Sequence, residues 1–406
     1  MSIILIQEGA VVTNLIYGSA REGPLGTSQK ESMFTKALKQ GWQGVTYLMI
    51  QKGYPLADAL EDSINQDQFK YVITLLSKVS DHEQIRRSNE HGLNLLHTFA
   101  RKGANCPYDL TTQIVNALLK YKIDPKAIEN TGKTPLHYAA QKGFRYIMSK
   151  LVENGCDSNV VDQEKHTAFM LFIMNCKVDH ADIDLFRKLK ADVSLPFITT
   201  YQKELPKEKQ TPFVKTETKE MIVNPILYLV RNGNNSIDVI EKLAAAGVKV
   251  NEIDDTGNSA FSLYVQKYNL SAVDVGRFVK LKADISHKIR MTYQQELPKE
   301  KQTETQKTET KEMFVGPILY LLYRIKLPFD VLNSLATSGV DINEIDETGH
   351  SALSLYLTKY QLLPEEIEHL AKLKADFGRK LPPQIINGKK MELGPLLYTL
   401  YTGKKP

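Results

Sequence analysis

Tryptophan occurs once in these 406 residues, and cysteine only three times, at Cys106, Cys156 and Cys176. Their odd number, wide spacing and lack of any CxxC pair argue against a disulfide framework and a cysteine zinc site, and for a reducing compartment. Charge of one sign is also scarce: 52 Lys and Arg against 47 Asp and Glu leave a net +5. That is too faint for a nucleic-acid footprint. Lys389-Lys390 and Lys404-Lys405 are short basic pairs, whereas a membrane-surface cluster wants about 4 to 8 adjacent basic residues. No run approaches the ~18 apolar residues of a membrane span. Residues 1–12 are apolar in patches but carry Glu8 and no basic start, a poor secretion signal. The expectation is a cytoplasmic chain without a membrane span, nucleic-acid partner or cofactor.

What is present is a duplication. Residues 201–285 and 293–377 align without a gap at an offset of 92, with 48 of 85 positions identical. A period this long, built from smaller helical units, marks a solenoid, and 406 residues exceed what one compact core sustains. The clearest unit is 129–161, ENTGKTPLHYAAQKGFRYIMSKLVENGCDSNVV. Pro135 suits a first helical turn, and Thr134 before it is a natural N-cap. Ala139 and Ala140 permit close helix approach. Gly143 breaks the first helix and Gly155 ends the second. Leu136, Ile147, Met148 and Leu151 recur at helical spacing and form the apolar stripe.

This unit closely resembles the ankyrin repeat, whose pattern it carries as Gly132, Thr134-Pro135-Leu136-His137, Ala139-Ala140, Gly143 and Gly155-Cys156-Asp157. Fainter copies begin at Asn94-Leu95-Leu96-His97, Thr167-Ala168-Phe169, Asn224-Pro225-Ile226-Leu227, Asp254-Asp255-Thr256-Gly257, Gly316-Pro317-Ile318-Leu319 and Asp346-Glu347-Thr348-Gly349. Lys-Leu-Lys-Ala-Asp closes three units, at 188–192, 280–284 and 372–376. At about 33 residues each, roughly eight to ten units fit. The expected organisation is an unassigned N-terminal segment or cap (1–33, with β-like runs at 3–6 and 11–17), degenerate helix pairs (34–128), and ankyrin-type repeats (129–406) ending in a half repeat.

Two repeats should fill about 66 residues rather than 92. The spacing from Asp157 to Thr167 is 10, but from Asp192 to Asn224, and from Asp284 to Gly316, it is 32. Inserts therefore lie at about 196–223 and 288–315, where the family has a short finger; a third interval, 376 to 394, spans 18. Residues 198–201 and 213–216 favour strands, and 205–209 suit a turn. Each insert is expected to be an extended β-hairpin or a mobile loop. The inserts match at 17 of 21 positions over 201–221, while 271–279 match none of 363–371. Two like surfaces on one partner would give avidity; a duplicated, merely solvated loop is the bland alternative.

Other constellations yield less. Thr131-Gly132-Lys133-Thr134 resembles the tail of a phosphate loop, but the required earlier glycine is Ala127. The resemblance gives His97 and His137 structural roles in the turn. His91, His97 and Cys106 lack metal-ligand spacing. Asn159, Asn251 and Asn343 each follow a leucine by eight residues, like ankyrin asparagines that an asparaginyl hydroxylase modifies; bonding their own turn is the plainer reading. Tyr138, Tyr228, Tyr320 and Tyr398 hold one position in successive units, as groove anchors or as core.

The fold expected is all-α, an ankyrin-type helical solenoid with two long finger inserts. The function expected is binding of a protein partner by a monomeric scaffold without chemistry. Tyr201, Lys207, Lys209, Phe213 and Lys215, Tyr293, Lys299, Lys301 and Lys307, and Tyr138, Tyr228 and Tyr320 are the candidate contacts. The irregular copies and the Lys-, Asn- and Ile-rich composition are similar in style to host-directed effectors of intracellular bacteria, which would act in host cytosol. An enzyme with an unrecognised site in 1–128, joining His82, His91, His97 and Cys106, is one alternative; a binder of membrane or RNA, with its lysines on one face, is another.

Overall fold

The computed structural model describes residues 33–79, 82–204, 216–234, 236–296, 308–360, 362–382, 384–386, 389–391 and 393–395. The segment 1–32, with its β-like runs, lies outside them. The chain divides into two units, Met1–Val193 and Ser194–Pro406.

In the first unit helices come in antiparallel pairs: α1 (Met33–Lys39) with α2 (Gln43–Gln51), then α3 (Leu56–Asn65) with α4 (Phe69–Ser77). A short α5 (Glu83–Arg86) follows. Three further pairs are α6 (Leu95–Lys102) with α7 (Tyr108–Lys120), α8 (Pro135–Gln141) with α9 (Arg145–Glu153), and α10 (Ala168–Asn175) with α11 (His180–Lys188). First helices stack on first helices: α8 packs between α6 and α10, while α4 packs on α7 in the second layer. Burial explains the order. Leu136, Ala139 and Ala140 of α8 and Ile147, Met148 and Leu151 of α9 are all buried, as their helical spacing predicts. Phe186 of α11 meets Phe169 and Phe172 of α10 edge-on, at 5.0 and 5.1 Å.

The second unit repeats the theme with α12 (Pro225–Arg231) and α13 (Ile237–Ala245), α14 (Ala260–Lys267) and α15 (Ala272–Lys280), α16 (Pro317–Arg324) and α17 (Phe329–Thr337), and α18 (Ala352–Lys359) and α19 (Pro364–Lys372). It adds strands in the two intervals where a β-hairpin or a mobile loop is expected from sequence. Strand β1 (Phe197–Glu204) pairs antiparallel with β2 (Thr216–Val223), and β3 (Ile289–Glu296) with β4 (Thr308–Val315). A short pair, β5 (Gln384–Ile386) and β6 (Lys389–Met391), occupies the third interval. The second strand falls later than the 213–216 expected from propensity. Its register explains why: Val223 faces Phe197 and Met221 faces Thr199, so the apolar end of TETKEMIV, with Met221 and Val223 buried, fixes the pairing.

The Lys-Leu-Lys-Ala-Asp motif ends α11, α15 and α19 with a lysine in the left-handed region: φ is 59° at Lys190, 56° at Lys282 and 62° at Lys374. At the corresponding helix ends Gly155, Gly247 and Gly339 take φ of 90° to 103°. A side chain there costs about 1–2 kcal/mol, against about 0.5–1 kcal/mol for the extra unfolded freedom of glycine. Lys282→Gly is therefore expected to stabilise by about 0.5 kcal/mol, read as a higher urea midpoint at unchanged slope; a lower midpoint would show that the lysine side chain contributes.

Candidate partner-binding surface

The Thr-Pro-Leu-His signature works by closing two bonds at once. His137 Nδ1 accepts from the Thr134 N–H at 3.0 Å, which leaves Nε2 to donate to the His166 carbonyl of the next turn at 3.2 Å. His97 repeats this, Nδ1 accepting from the Asn94 N–H and Nε2 donating to the Lys133 carbonyl, both at 3.2 Å. Burial pushes both imidazoles down, His97 from 6.5 to about 4. These histidines are joints between neighbouring units.

Asn159, Asn251 and Asn343 form a second series of joints. Each Nδ2 donates to a carbonyl one unit on, at Lys190, Lys282 and Lys374, over 2.9 to 3.1 Å. Each Oδ1 accepts the N–H of Asp192, Asp284 or Asp376, at 2.7 to 2.8 Å. The expectation that they bond their own turn is corrected here: the partners lie 31 and 33 residues away, where sequence proximity gives no hint.

The ribbons carry the most regular exposed surface. One face is anchored: Phe197 of β1 is buried and stacks on Tyr228 at 4.5 Å, and in the second ribbon Ile289, Met313 and Val315 are buried. Farther out on that face Tyr201 and Tyr293 are half-buried, opposite Lys219 and Lys311. Lys219 lies 3.1 Å from Glu217, and Lys311 3.3 Å from Glu309. The other face is open, with Thr200, Gln202, Thr218 and Glu220 in one ribbon and Thr292, Gln294, Thr310 and Glu312 in the other. At its base the two differ: exposed Ile198 and Ile222 stand where Arg290 and Phe314 stand, and Arg290 pairs with Glu312. Ile198, Ile222 and Phe314 were missed by sequence reasoning, although strand alternation places them opposite the buried set.

The tyrosine series divides. Tyr320 is 7% exposed and its hydroxyl accepts from Arg324. Tyr138 and Tyr228 are half-buried, Tyr138 edge-on to His97 at 6.1 Å. Tyr398, Lys207, Lys209, Phe213, Lys215, Lys299, Lys301 and Lys307 lie outside the described residues. So the structure assembles Tyr201 and Tyr293 onto ribbons and sets the Tyr138 series against helices.

The groups weighed for chemistry do not converge. His82 stacks on Tyr121 at 4.4 Å, His91 is exposed beside Glu90, and His97 is consumed in its turn. Burial raises all three thiols, Cys156 to about 11, which disfavours the thiolate. Among the described residues, the group of three spaced to hold a cation is Asp162, Glu164 and His166. No helix among them is long and apolar enough to cross a membrane.

Paired helices, histidine joints and glycine-closed turns define a repeat family, and the sequence pattern described as ankyrin repeats, three copies, matches residues 60–162. Residues 60–162 of this chain are ankyrin repeats. A shorter similarity, 34% identity over 55 residues, relates it to "Potassium channel AKT2/3" of Arabidopsis thaliana. The shared stretch covers 14% of this chain and 7% of the channel's length. Ankyrin repeats generally mediate protein–protein interaction. The family match starts at residue 60, inside the part read from sequence as degenerate. There the helix pairs α3–α4 and α6–α7 keep the packing although Thr-Pro-Leu-His is reduced to Asn-Leu-Leu-His or lost.

Proposed function

We propose that this ankyrin-repeat chain is a protein-binding scaffold without chemistry of its own, and that its two ribbons are inter-repeat fingers offering one partner the same surface twice. A single comparison carries the reading. Ribbon and helices were duplicated together, yet Thr200, Gln202, Thr218, Lys219 and Glu220 recur as Thr292, Gln294, Thr310, Lys311 and Glu312, whereas residues 271–279 share nothing with residues 363–371. The helix needed only its apolar stripe and drifted. Exposed positions drift more freely than core, so their retention supports a constraint from a partner. Tyr201 and Tyr293 supply large, rigid contact area, and the interleaved Lys and Glu tune rate and specificity.

The test is affinity capture from lysate with the intact chain and with a variant lacking 203–219 and 295–311, each bridged by a Gly-Ser turn, after circular dichroism shows both folded. The captured protein is expected to be lost with both ribbons. Removal of one ribbon is expected to weaken binding about 100-fold or more, the scale of avidity. Undiminished capture by the doubly shortened chain would move the binding surface to the helices.

A further inference from the structure

Four of the turns that open a unit are organised by an acidic side chain, Glu129, Asp162, Asp254 or Asp346, that accepts backbone N–H groups. Asp254 Oδ1 accepts from the N–H and Oγ1 of Thr256, at 2.9 and 2.6 Å, and from the Asn258 N–H at 3.1 Å. Asp346 does the same with Thr348 and His350, at 2.8, 2.6 and 3.0 Å. In both, the second carboxylate oxygen takes a side-chain donor from the preceding first helix, Arg231 on Asp254 and Tyr323 on Asp346.

The turn at Asp162 breaks this scheme three times. Oδ1 accepts only the His166 N–H, at 2.8 Å. Gln141 stands six residues after the helix-starting proline, where Arg231 and Tyr323 stand, and Asp162 Oδ2 has no hydrogen-bond partner although its side chain is 0% exposed. Where Thr131, Thr256 and Thr348 stand, this turn has Glu164, which cannot donate and adds a second carboxylate. Lys133 Nζ is 3.7 Å from Oδ2, too far to hydrogen-bond. His166 Nδ1 is also buried without a hydrogen-bond partner, 3.3 Å from Glu164 Oε2 and 3.8 Å from Asp162 Oδ1.

Two carboxylate oxygens and one imidazole nitrogen, all within 4.8 Å of one another, are separated as tetrahedral ligands at about 2 Å from a metal are, roughly 3.3 Å apart, after a small closure. We propose that Asp162, Glu164 and His166 bind one zinc ion, with water in the fourth position. Nitrogen with oxygen selects zinc over calcium, which takes oxygen alone. Glu164, 71% exposed, faces the entry side and swings in; Asp162 and His166 are already held by the turn. The ion supplies the buried oxygen with the partner that Arg231 and Tyr323 supply elsewhere.

Chelator-treated full-length protein is titrated with Zn2+ by calorimetry, with thermal unfolding in parallel. One equivalent bound and a raised Tm are expected. Glu164→Thr and His166→Asn give this turn the residues that close the Asp254 turn, so each variant keeps the fold, as circular dichroism checks, while losing a ligand. Each is expected to weaken Zn2+ binding at least tenfold and to abolish the rise in Tm. Unchanged affinity in both variants, no uptake by the unaltered chain, or uptake of Ca2+ without Zn2+ would each overturn the assignment.

Discussion

Alanine in place of Arg231 is expected to destabilise the second unit by about 3 kcal/mol, because removing one partner of a buried ion pair strands the other. The Asp254 side chain is 0% exposed and that of Arg231 20%. Arg231 also donates to Thr256 Oγ1 at 3.0 Å, so the substitution loosens the turn as well as the carboxylate. The duplicated unit supplies the rescue. There Tyr323 takes the place of Arg231, bonding Asp346 and lying 3.2 Å from Thr348 Oγ1 and 3.3 Å from His350 Nδ1. Arg231→Tyr combined with Asn258→His should recover most of the loss. Urea unfolding of the three proteins decides it. A loss under about 1 kcal/mol for Arg231→Ala would mean that the turn's own N–H groups suffice for Asp254.

Acid is expected to weaken the first unit before carboxylate titration dominates. Burial holds His97 neutral, with its pKa lowered from 6.5 to about 4. Between those values the unfolded chain binds the proton and the folded one does not, so stability is full above pH 6.5 and falls as pH drops toward 4. That difference corresponds to about 3 kcal/mol at the acid end. His137, also lowered by burial, adds in the same direction. Glu61 and Asp62, raised by burial, act oppositely: the folded state takes up their protons first, which favours it in acid. His97→Ser isolates the histidine, since Ser262 and Ser354 hold the corresponding place in other units. Stability measured at pH 7, 6, 5 and 4.5 should fall less steeply for the variant. Parallel curves would assign the acid loss elsewhere.

The regular part of the fold was legible because its causes are local. Pro135, Thr134 and Gly155 act within one or two turns of their own helix, and the apolar stripe of α9 needs only helical spacing. The carboxylate closures were not legible. Arg231 and Asp254 are 23 residues apart, Tyr323 and Asp346 likewise, and Arg and Tyr share no pattern that would mark them as equivalent. The same distance hid the open turn at Asp162, which stands out only when its oxygen is compared with those of Asp254 and Asp346. Propensity puts the second strand too early, at 213–216, because TETKEM reads as polar; the register of β2 hangs on Met221 and Val223, whose burial depends on the helices beneath.

Among the described residues each ribbon has two strands, paired with each other. Both are therefore edges, with a row of backbone N–H and C=O groups turned outward, the template on which chains add to one another. Along β2 the exposed side chains include Lys219 and Glu220, and along β4 Lys311 and Glu312. Two copies lying edge to edge would have to strip water from those charges. The same Lys and Glu that suit a binding surface also keep one molecule's ribbons from zipping onto another's, so trimming them to sharpen affinity would expose the protein to aggregation.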